Sequence, residues 1–79
     1  MIRHFKRSFS ELDAIVTMTE AVFNEKAIDP SIRFVVDLAI EELFTNMVKY
    51  NTGADHDIEI EITGSPTGAQ VSLRDFDVD

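Results

Sequence analysis

The sequence predicts an α+β two-layer sandwich in which helices pack on one face of a mainly antiparallel sheet. Three observations support this prediction: an apolar stripe at helical spacing in residues 12–23, a long apolar segment in residues 32–50, and two alternating segments around a turn in residues 58–76. The chain has 79 residues, which is enough for one small domain. A domain of this size buries only about 60% of its unfolded surface, so its stability is marginal without partners.

The first two elements are predicted to be a strand and an amphipathic helix. Residues 2–9 are interpreted as an edge strand with Phe5, Arg7 and Phe9 on one face. Either Ser8 or Ser10 can begin the helix, because each is followed three residues later by an acidic residue that completes a capping box. The stripe of this helix that faces the core comprises Leu12, Ile15, Val16, Thr19, Val22 and Phe23.

The second helix is predicted over about residues 30–50, since Asp29 is a good N-cap and Pro30 is favoured at the first helical position. Twelve of the nineteen residues from 32 to 50 are apolar. Contact with further protein, for example in a homodimer, is expected because a helix this apolar is usually covered on more than one side. The face predicted to pack on the sheet comprises Ile32, Val35, Val36, Ala39, Ile40, Leu43 and Met47.

The C-terminal third of the chain is predicted to be a strand hairpin over about residues 58–76. Gly53 can end the preceding helix, and residues 58–62 alternate isoleucine with glutamate, which is typical of a half-buried antiparallel strand. Residues 64–68 contain two glycines and a proline and are predicted to form the turn. The inward face of the second strand would comprise Val71, Leu73 and Asp75, so a carboxylate is expected at core register.

A carboxylate and a carboxamide also interrupt the apolar second helix. Glu42 and Asn46 are four residues apart, so they project from the same side of the helix about one turn apart. On a helical projection Asn46 falls between Val35 and Ala39, inside the predicted core-facing arc, and Glu42 lies at its margin. Because a buried polar group without a partner costs on the order of 1–3 kcal/mol, such residues are usually held by backbone, water, a metal ion or a ligand.

Composition excludes several classes of function. The chain has no cysteine, so disulfides and thiolate metal sites are excluded and an intracellular location is favoured. The net charge of −8 argues against nucleic-acid binding, and it suits a basic protein partner or a site where Mg²⁺ offsets the anions. No apolar run approaches the roughly 20 residues of a membrane span and no signal peptide is visible, so we expect a cytoplasmic protein without membrane contact.

The segment Glu-Glu-Leu-Phe-Thr-Asn-Met-Val-Lys-Tyr at residues 41–50, followed by a hairpin and the inward Asp75, resembles the GHKL (Bergerat-fold) ATPases. Within that superfamily it is similar to the N-box of the bacterial anti-sigma-factor serine/threonine kinases, and Ser-Leu-Arg-Asp at residues 72–75 resembles the approach to their G1 box. The resemblance covers nearly all of residues 1–79, which correspond to the N-terminal portion of one histidine-kinase-like ATPase domain.

The resemblance implies a function and a role for four residues. The complete protein would bind ATP and Mg²⁺, bind a sigma factor, and phosphorylate a serine of an anti-sigma antagonist. Asn46 would ligate the Mg²⁺ that bridges the ATP phosphates, and Glu42 would be the general base for the attacking hydroxyl. Lys49 would lie near the phosphates, and Asp75 would accept a hydrogen bond from the adenine amino group.

Two departures from the family pattern favour other functions. Asp77 stands where the G1 box usually has a glycine, and the glycine-rich lid and second glycine box are missing from the 79 residues, so we expect this chain alone to be inactive as a kinase. The alternatives are a non-catalytic protein-interaction module on the same scaffold, or the ATPase domain of a sensor histidine kinase. Glu42 could also simply pair with Lys49 or Arg74, and Lys49 could simply balance the helix dipole.

Overall fold

The computed structural model describes residues 1–50 and 57–75, and it confirms the predicted two-layer α+β sandwich. Its sheet is antiparallel with the strand order β1-β2-β3, and it comprises β1 (Ile2–Phe5), β2 (Ile58–Ser65) and β3 (Gly68–Asp75). Two helices pack against the sheet: α1 (Leu12–Glu25) and α2 (Arg33–Tyr50). A short 3-10 turn precedes each helix, at Phe9–Glu11 and at Pro30–Ile32.

The first strand is shorter than predicted, and the prediction that it continues to residue 9 is wrong. β1 ends at Phe5, and Phe9 is 54% exposed in the turn that follows. Local hydrogen bonds bend the chain here, since the Ser8 hydroxyl caps the 3-10 turn and the Glu11 carboxylate accepts a bond of 3.1 Å from the Lys6 backbone N–H. These bonds compete with the extension of the strand.

The buried stripe of α1 follows the predicted helical spacing with two differences. Met18 is fully buried, whereas Val16 is 45% exposed. The hydroxyl of the buried Thr19 donates to the carbonyl of Ile15 at 3.0 Å, so this polar side chain is satisfied within the helix. The buried residues of the helix are Ile15, Met18, Thr19, Val22 and Phe23.

α1 ends at a left-handed residue that is not glycine. Ala27 has a φ of 50°, and the N–H of the next residue, Ile28, donates to the carbonyl of Phe23 at 3.1 Å. Ile28 and Phe23 both belong to the buried core, in agreement with the hydrophobic contact that is typical of this type of helix end. Gly64 in β2 makes room for Ile28, because a Cβ at that position would displace the Ile28 side chain.

The N-cap that begins the α2 segment is confirmed. The Asp29 carboxylate accepts a hydrogen bond of 2.9 Å from the backbone N–H of Ser31, and Pro30 occupies the first turn. Hydrogen bonds from this backbone N–H and from the Ser31 side chain lower the pKa of the Asp29 carboxyl. Ionised Asp29 therefore holds the start of the helix.

The predicted orientation of α2 is wrong by a rotation of about a quarter of a turn around the helix axis, on which successive residues are about 100° apart. Phe44 lies outside the predicted apolar face, yet it is fully buried, as is Ile40. Val35 and Leu43 were predicted to face the sheet, yet they are 66% and 48% exposed. The inner face of α2 comprises Ile40 and Phe44, with Val36, Met47 and Val48 half-buried around them.

The hairpin confirms the predicted alternation. Ile58, Ile60 and Ile62 of the central strand β2 are fully buried, and Asp75 of β3 lies opposite Ile58 in the register. The backbone N–H of Asp29 donates to the carbonyl of Pro66 in the turn at 3.3 Å, so the connection between the helices is tied to the hairpin.

No helix within residues 1–50 or 57–75 is both long and apolar enough to cross a membrane. Gly53, predicted to end α2, and the positions of Phe76 and Asp77 lie outside the described residues.

Candidate functional site

Glu42 and Asn46 are exposed on the side of α2 that faces away from the sheet. The prediction that Asn46 lies in the core-facing arc is wrong, because the helix buries Ile40 and Phe44 instead. Neither polar side chain is engaged in a hydrogen bond or ion pair with the described residues. We call this side the outer face of α2 and define it by Phe34, Val35, Leu38, Ala39, Glu42, Leu43, Asn46 and Lys49, all exposed.

Lys49 lies in the last turn of α2 and is exposed. Its Nζ is 5.3 Å from the ring centroid of Tyr50, which is a cation–π distance. Neither Lys49 nor Arg74 pairs with Glu42, since Arg74 instead lies 3.9 Å from Glu59 on the opposite face of the sheet. The phosphate role of Lys49 and its role at the helix end both stay predictions.

Asp75 lies at the end of β3 with its side chain only 6% exposed, which confirms its predicted core register. Its carboxylate forms an ion pair with Arg7, whose side chain is 8% exposed. Arg7 Nη1 also donates to the backbone carbonyl of Met47 in α2 at 3.4 Å. Arg7 therefore links the segment after β1, the inner face of α2 and the end of β3.

Arg7 is the residue of this region to which the sequence assigned no role. The available signal was its position, because it shares the face of Phe5 in the predicted strand. An arginine at a core-facing position needs a buried anion as its partner. The matching anion is Asp75, which is 68 positions away in the sequence.

The four predicted site residues divide into two groups. Glu42, Asn46 and Lys49 belong to the outer face, whereas Asp75 lies beneath α2 with Arg7. The two groups meet near Met47, which follows Asn46 in the chain and accepts the Arg7 bond. Three concave regions of the described residues, with volumes of about 440, 410 and 240 Å³, are lined by none of the four.

The smallest of these regions is a groove between α1 and α2. Asp37 lies at its edge and pairs with Arg33 through Oδ2 at 2.9 Å, while its Oδ1 is buried and has no hydrogen-bond partner among the described residues. Arg33 also stacks on Phe23, 5.6 Å from the ring centroid. The groove is lined by Leu12, Asp13, Ile15, Val16, Thr19, Asp37, Ile40 and Glu41.

The residues fit one end of a bound Mg²⁺–ATP and conflict with the other. Mg²⁺ takes hard oxygen ligands and keeps several waters, so the exposed Asn46 carboxamide with Glu42 one turn away suits the metal and phosphate end. The base end requires a carboxylate that can accept from an amino group, but the Asp75 carboxylate is already paired with a guanidinium. The base end does not fit while Arg7 holds Asp75.

Comparison with known proteins finds no match for the chain among protein-family models, curated proteins or solved structures. A function for this chain is therefore inferred from the chemistry and geometry of its own residues.

Proposed function

We propose that this chain supplies the nucleotide-binding helix and hairpin of an ATP-dependent anti-sigma regulatory serine/threonine kinase. One observation carries the proposal: Glu42 and Asn46 are exposed one turn apart on the outer face of α2, and neither side chain has a hydrogen-bond or ion-pair partner within residues 1–50 and 57–75. Lys49 adds a positive charge in the last turn of the same helix. A carboxylate, a carboxamide and an ammonium group on one helix suit a metal–phosphate ligand.

Each group has a distinct chemical role in this proposal. The Asn46 carboxamide oxygen would ligate Mg²⁺, and the Lys49 ammonium would attract the phosphates. The Glu42 carboxylate would accept the proton of the attacking serine hydroxyl, as a general base must do in phosphoryl transfer. The adenine role that the resemblance gives to Asp75 would require its ion pair with Arg7 to be displaced.

The proposed partners are a sigma factor and the anti-sigma antagonist whose serine is phosphorylated. Support comes from the exposed apolar residues of the outer face, with Phe34 at 75% and Leu38 at 44% exposure, because such patches are typical of protein contacts. The same surface could join two copies of the chain in a homodimer. A cytoplasmic location belongs to this proposal, since sigma factors act there.

A non-catalytic protein-interaction module is the second candidate. The ion pair of Arg7 with Asp75 favours it, because the carboxylate that would bind adenine is buried and neutralised. In that case the outer face of α2 would bind its protein partner equally well with and without nucleotide.

Calorimetric titration of Mg²⁺–ATP into the chain tests the primary proposal. Wild type should bind, and Asn46→Ala should lose affinity by about tenfold or more if one metal ligand is removed. Asn24→Ala is the matched control, because Asn24 is an exposed asparagine on α1. Equal affinity of wild type and Asn46→Ala would exclude the Mg²⁺ role, and no binding at millimolar nucleotide would reject the proposal.

A binding assay with purified sigma factors separates the two candidates. The kinase proposal predicts that Mg²⁺–ATP changes the affinity for the partner and that Asn46→Ala abolishes the change. The interaction module predicts the same affinity with and without nucleotide, reduced by Phe34→Ser on the outer face.

A further inference from the structure

We infer that the groove between α1 and α2 is a docking site for a basic segment of a partner protein. The segment inserts one arginine side chain into the groove and places apolar residues on either side of it. This inference goes beyond the proposed function and does not depend on nucleotide binding, because Glu42, Asn46, Lys49 and Asp75 do not line the groove.

The groove has an apolar lining and a limited size. Ile15 and Ile40 are buried, Leu12 is half-buried and Val16 is 45% exposed, and all four line it. Its volume is about 240 Å³. Sites for small molecules and cofactors usually have volumes of roughly 300–1,000 Å³, so this groove suits one long side chain better than a cofactor.

Carboxylates from both helices line the same groove. Asp13 of α1 and Glu41 of α2 are exposed, and neither has an ion-pair partner among the described residues. Asp37 is paired with Arg33 through Oδ2 at 2.9 Å, while its Oδ1 has no hydrogen-bond partner in the described part of the chain. Three carboxylates next to one guanidinium leave the groove negative, so it favours a cationic occupant and disfavours an anionic one.

An arginine side chain matches both the lining and the charge. Its aliphatic stem can pack on apolar surface while its charged end reaches a polar rim. The guanidinium offers five N–H donors and is more weakly hydrated than an ammonium group, so it can pair with carboxylates on two helices at once. A purely apolar side chain would leave the carboxylates unpaired.

Exposed apolar residues beside the groove indicate a protein segment rather than a free cation. On α2, Phe34 precedes Asp37 by three residues and Leu38 precedes Glu41 by three, so each pair is adjacent on the helix surface. Phe34 is 75% exposed and Leu38 is 44% exposed, and Val16 adds apolar surface on α1. Apolar residues that flank the arginine of a partner would cover this surface, which a free cation would leave in water.

Nuclear magnetic resonance titration with the peptide acetyl-Ala-Leu-Arg-Leu-Ala-amide tests the inference, because this method detects weak binding. The methyl signals of Ile15, Val16 and Ile40 should shift, and the affinity should fall when salt is raised from about 50 to about 500 mM. The peptide with citrulline in place of arginine has nearly the same shape without the charge. It should bind about fivefold or more weakly, and the peptide with glutamate should not bind.

Single substitutions locate the contact. Glu41→Gln should weaken binding of the arginine peptide by about three- to fivefold, and so should Asp37→Asn. Glu41 is exposed and unpaired among the described residues, so its variant should fold as wild type does. Glu25→Gln is the matched control, because it removes the same charge from the last residue of α1 without touching the groove.

Three results would overturn the inference. The first is no shift of the groove methyl signals at about 5 mM arginine peptide. The second is equal binding of the arginine and citrulline peptides, or of wild type and Glu41→Gln. The third is a shift of the same methyl signals on raising the protein concentration without peptide, which would assign the groove to a second copy of the chain.

Discussion

The inner and outer faces of α2 are both rich in apolar residues, yet the inner face is buried and the outer face is exposed. On the inner face, Phe44 and Ile40 are buried against the sheet and α1. On the outer face, Phe34 and Val35 are 75% and 66% exposed. Burial of a side chain of this size contributes roughly 1.5–3 kcal/mol, so only the inner face contributes to folding in this way. The outer face carries exposed apolar surface and polar groups, of which Glu42 and Asn46 have no side-chain partner in the part of the chain that the structure describes.

This difference separates what hydrophobic periodicity can predict from what it cannot. The strand of Ile58, Ile60 and Ile62 has one apolar face, so its orientation follows from the sequence. α2 is apolar on most sides, so its periodicity has too little contrast to select the buried face. The result is a correct helix with an incorrect rotation, and a polar pair that is exposed where burial was expected.

Replacing one phenylalanine on each face of α2 with alanine should give the largest difference in the free energy of unfolding. Phe44→Ala should lower the free energy of unfolding by about 3–5 kcal/mol, because it leaves a cavity between the helices and the sheet. Phe34→Ala should change it by less than about 0.5 kcal/mol, because the ring is already in water. Urea unfolding followed by circular dichroism measures both, and similar losses for the two variants would contradict the observed rotation of α2.

Two arginine ion pairs, Arg7–Asp75 beneath α2 and Arg33–Asp37 within it, should also differ in their contribution to stability. Arg7→Met should lower the free energy of unfolding by about 3–5 kcal/mol, because it removes one member of a buried ion pair. Arg33→Met should cost less than about 1 kcal/mol, since the Arg33–Asp37 pair is partly exposed and lies within one helix. The same urea titrations apply, and a larger loss for Arg33→Met would show that the buried pair does not hold α2 to β3.

The N-cap of the α2 segment holds the start of the helix and belongs to neither face. Changing its charge should have the smallest effect on stability of the three comparisons. The pKa of Asp29 is lowered in the folded state from its ordinary value of 3.8, so its stabilisation is complete above that value and is lost as the pH falls through the folded pKa. Asp29→Asn keeps a capping side chain that does not titrate. The thermal midpoint of wild type should therefore fall more than that of Asp29→Asn between pH 5 and pH 2, and parallel curves would contradict the role of the charge.

The sequence predicts those parts of the candidate site that depend on residues close together in the chain. It does not predict the contact between residues that are far apart in the chain. Glu42 and Asn46 are one turn apart, so the sequence alone identifies them as a pair, and the alternation of β3 places Asp75 at core register. The ion pair of Arg7 with Asp75 spans 68 positions, and no local pattern encodes it. The buried ion pair of Asp75 is therefore a contact that only the folded chain reveals.

We propose that the outer face of α2 binds Mg²⁺–nucleotide through Asn46. Proton–nitrogen correlation spectra of the labelled chain, recorded during titration with Mg²⁺–ATP and with ATP plus a chelator, test it most directly. The claim predicts that the Asn46 side-chain amide and the backbone amides near Glu42 shift only when Mg²⁺ is present, while Asn24 on α1 does not. Shifts that do not depend on Mg²⁺, or that avoid the outer face of α2, would contradict it.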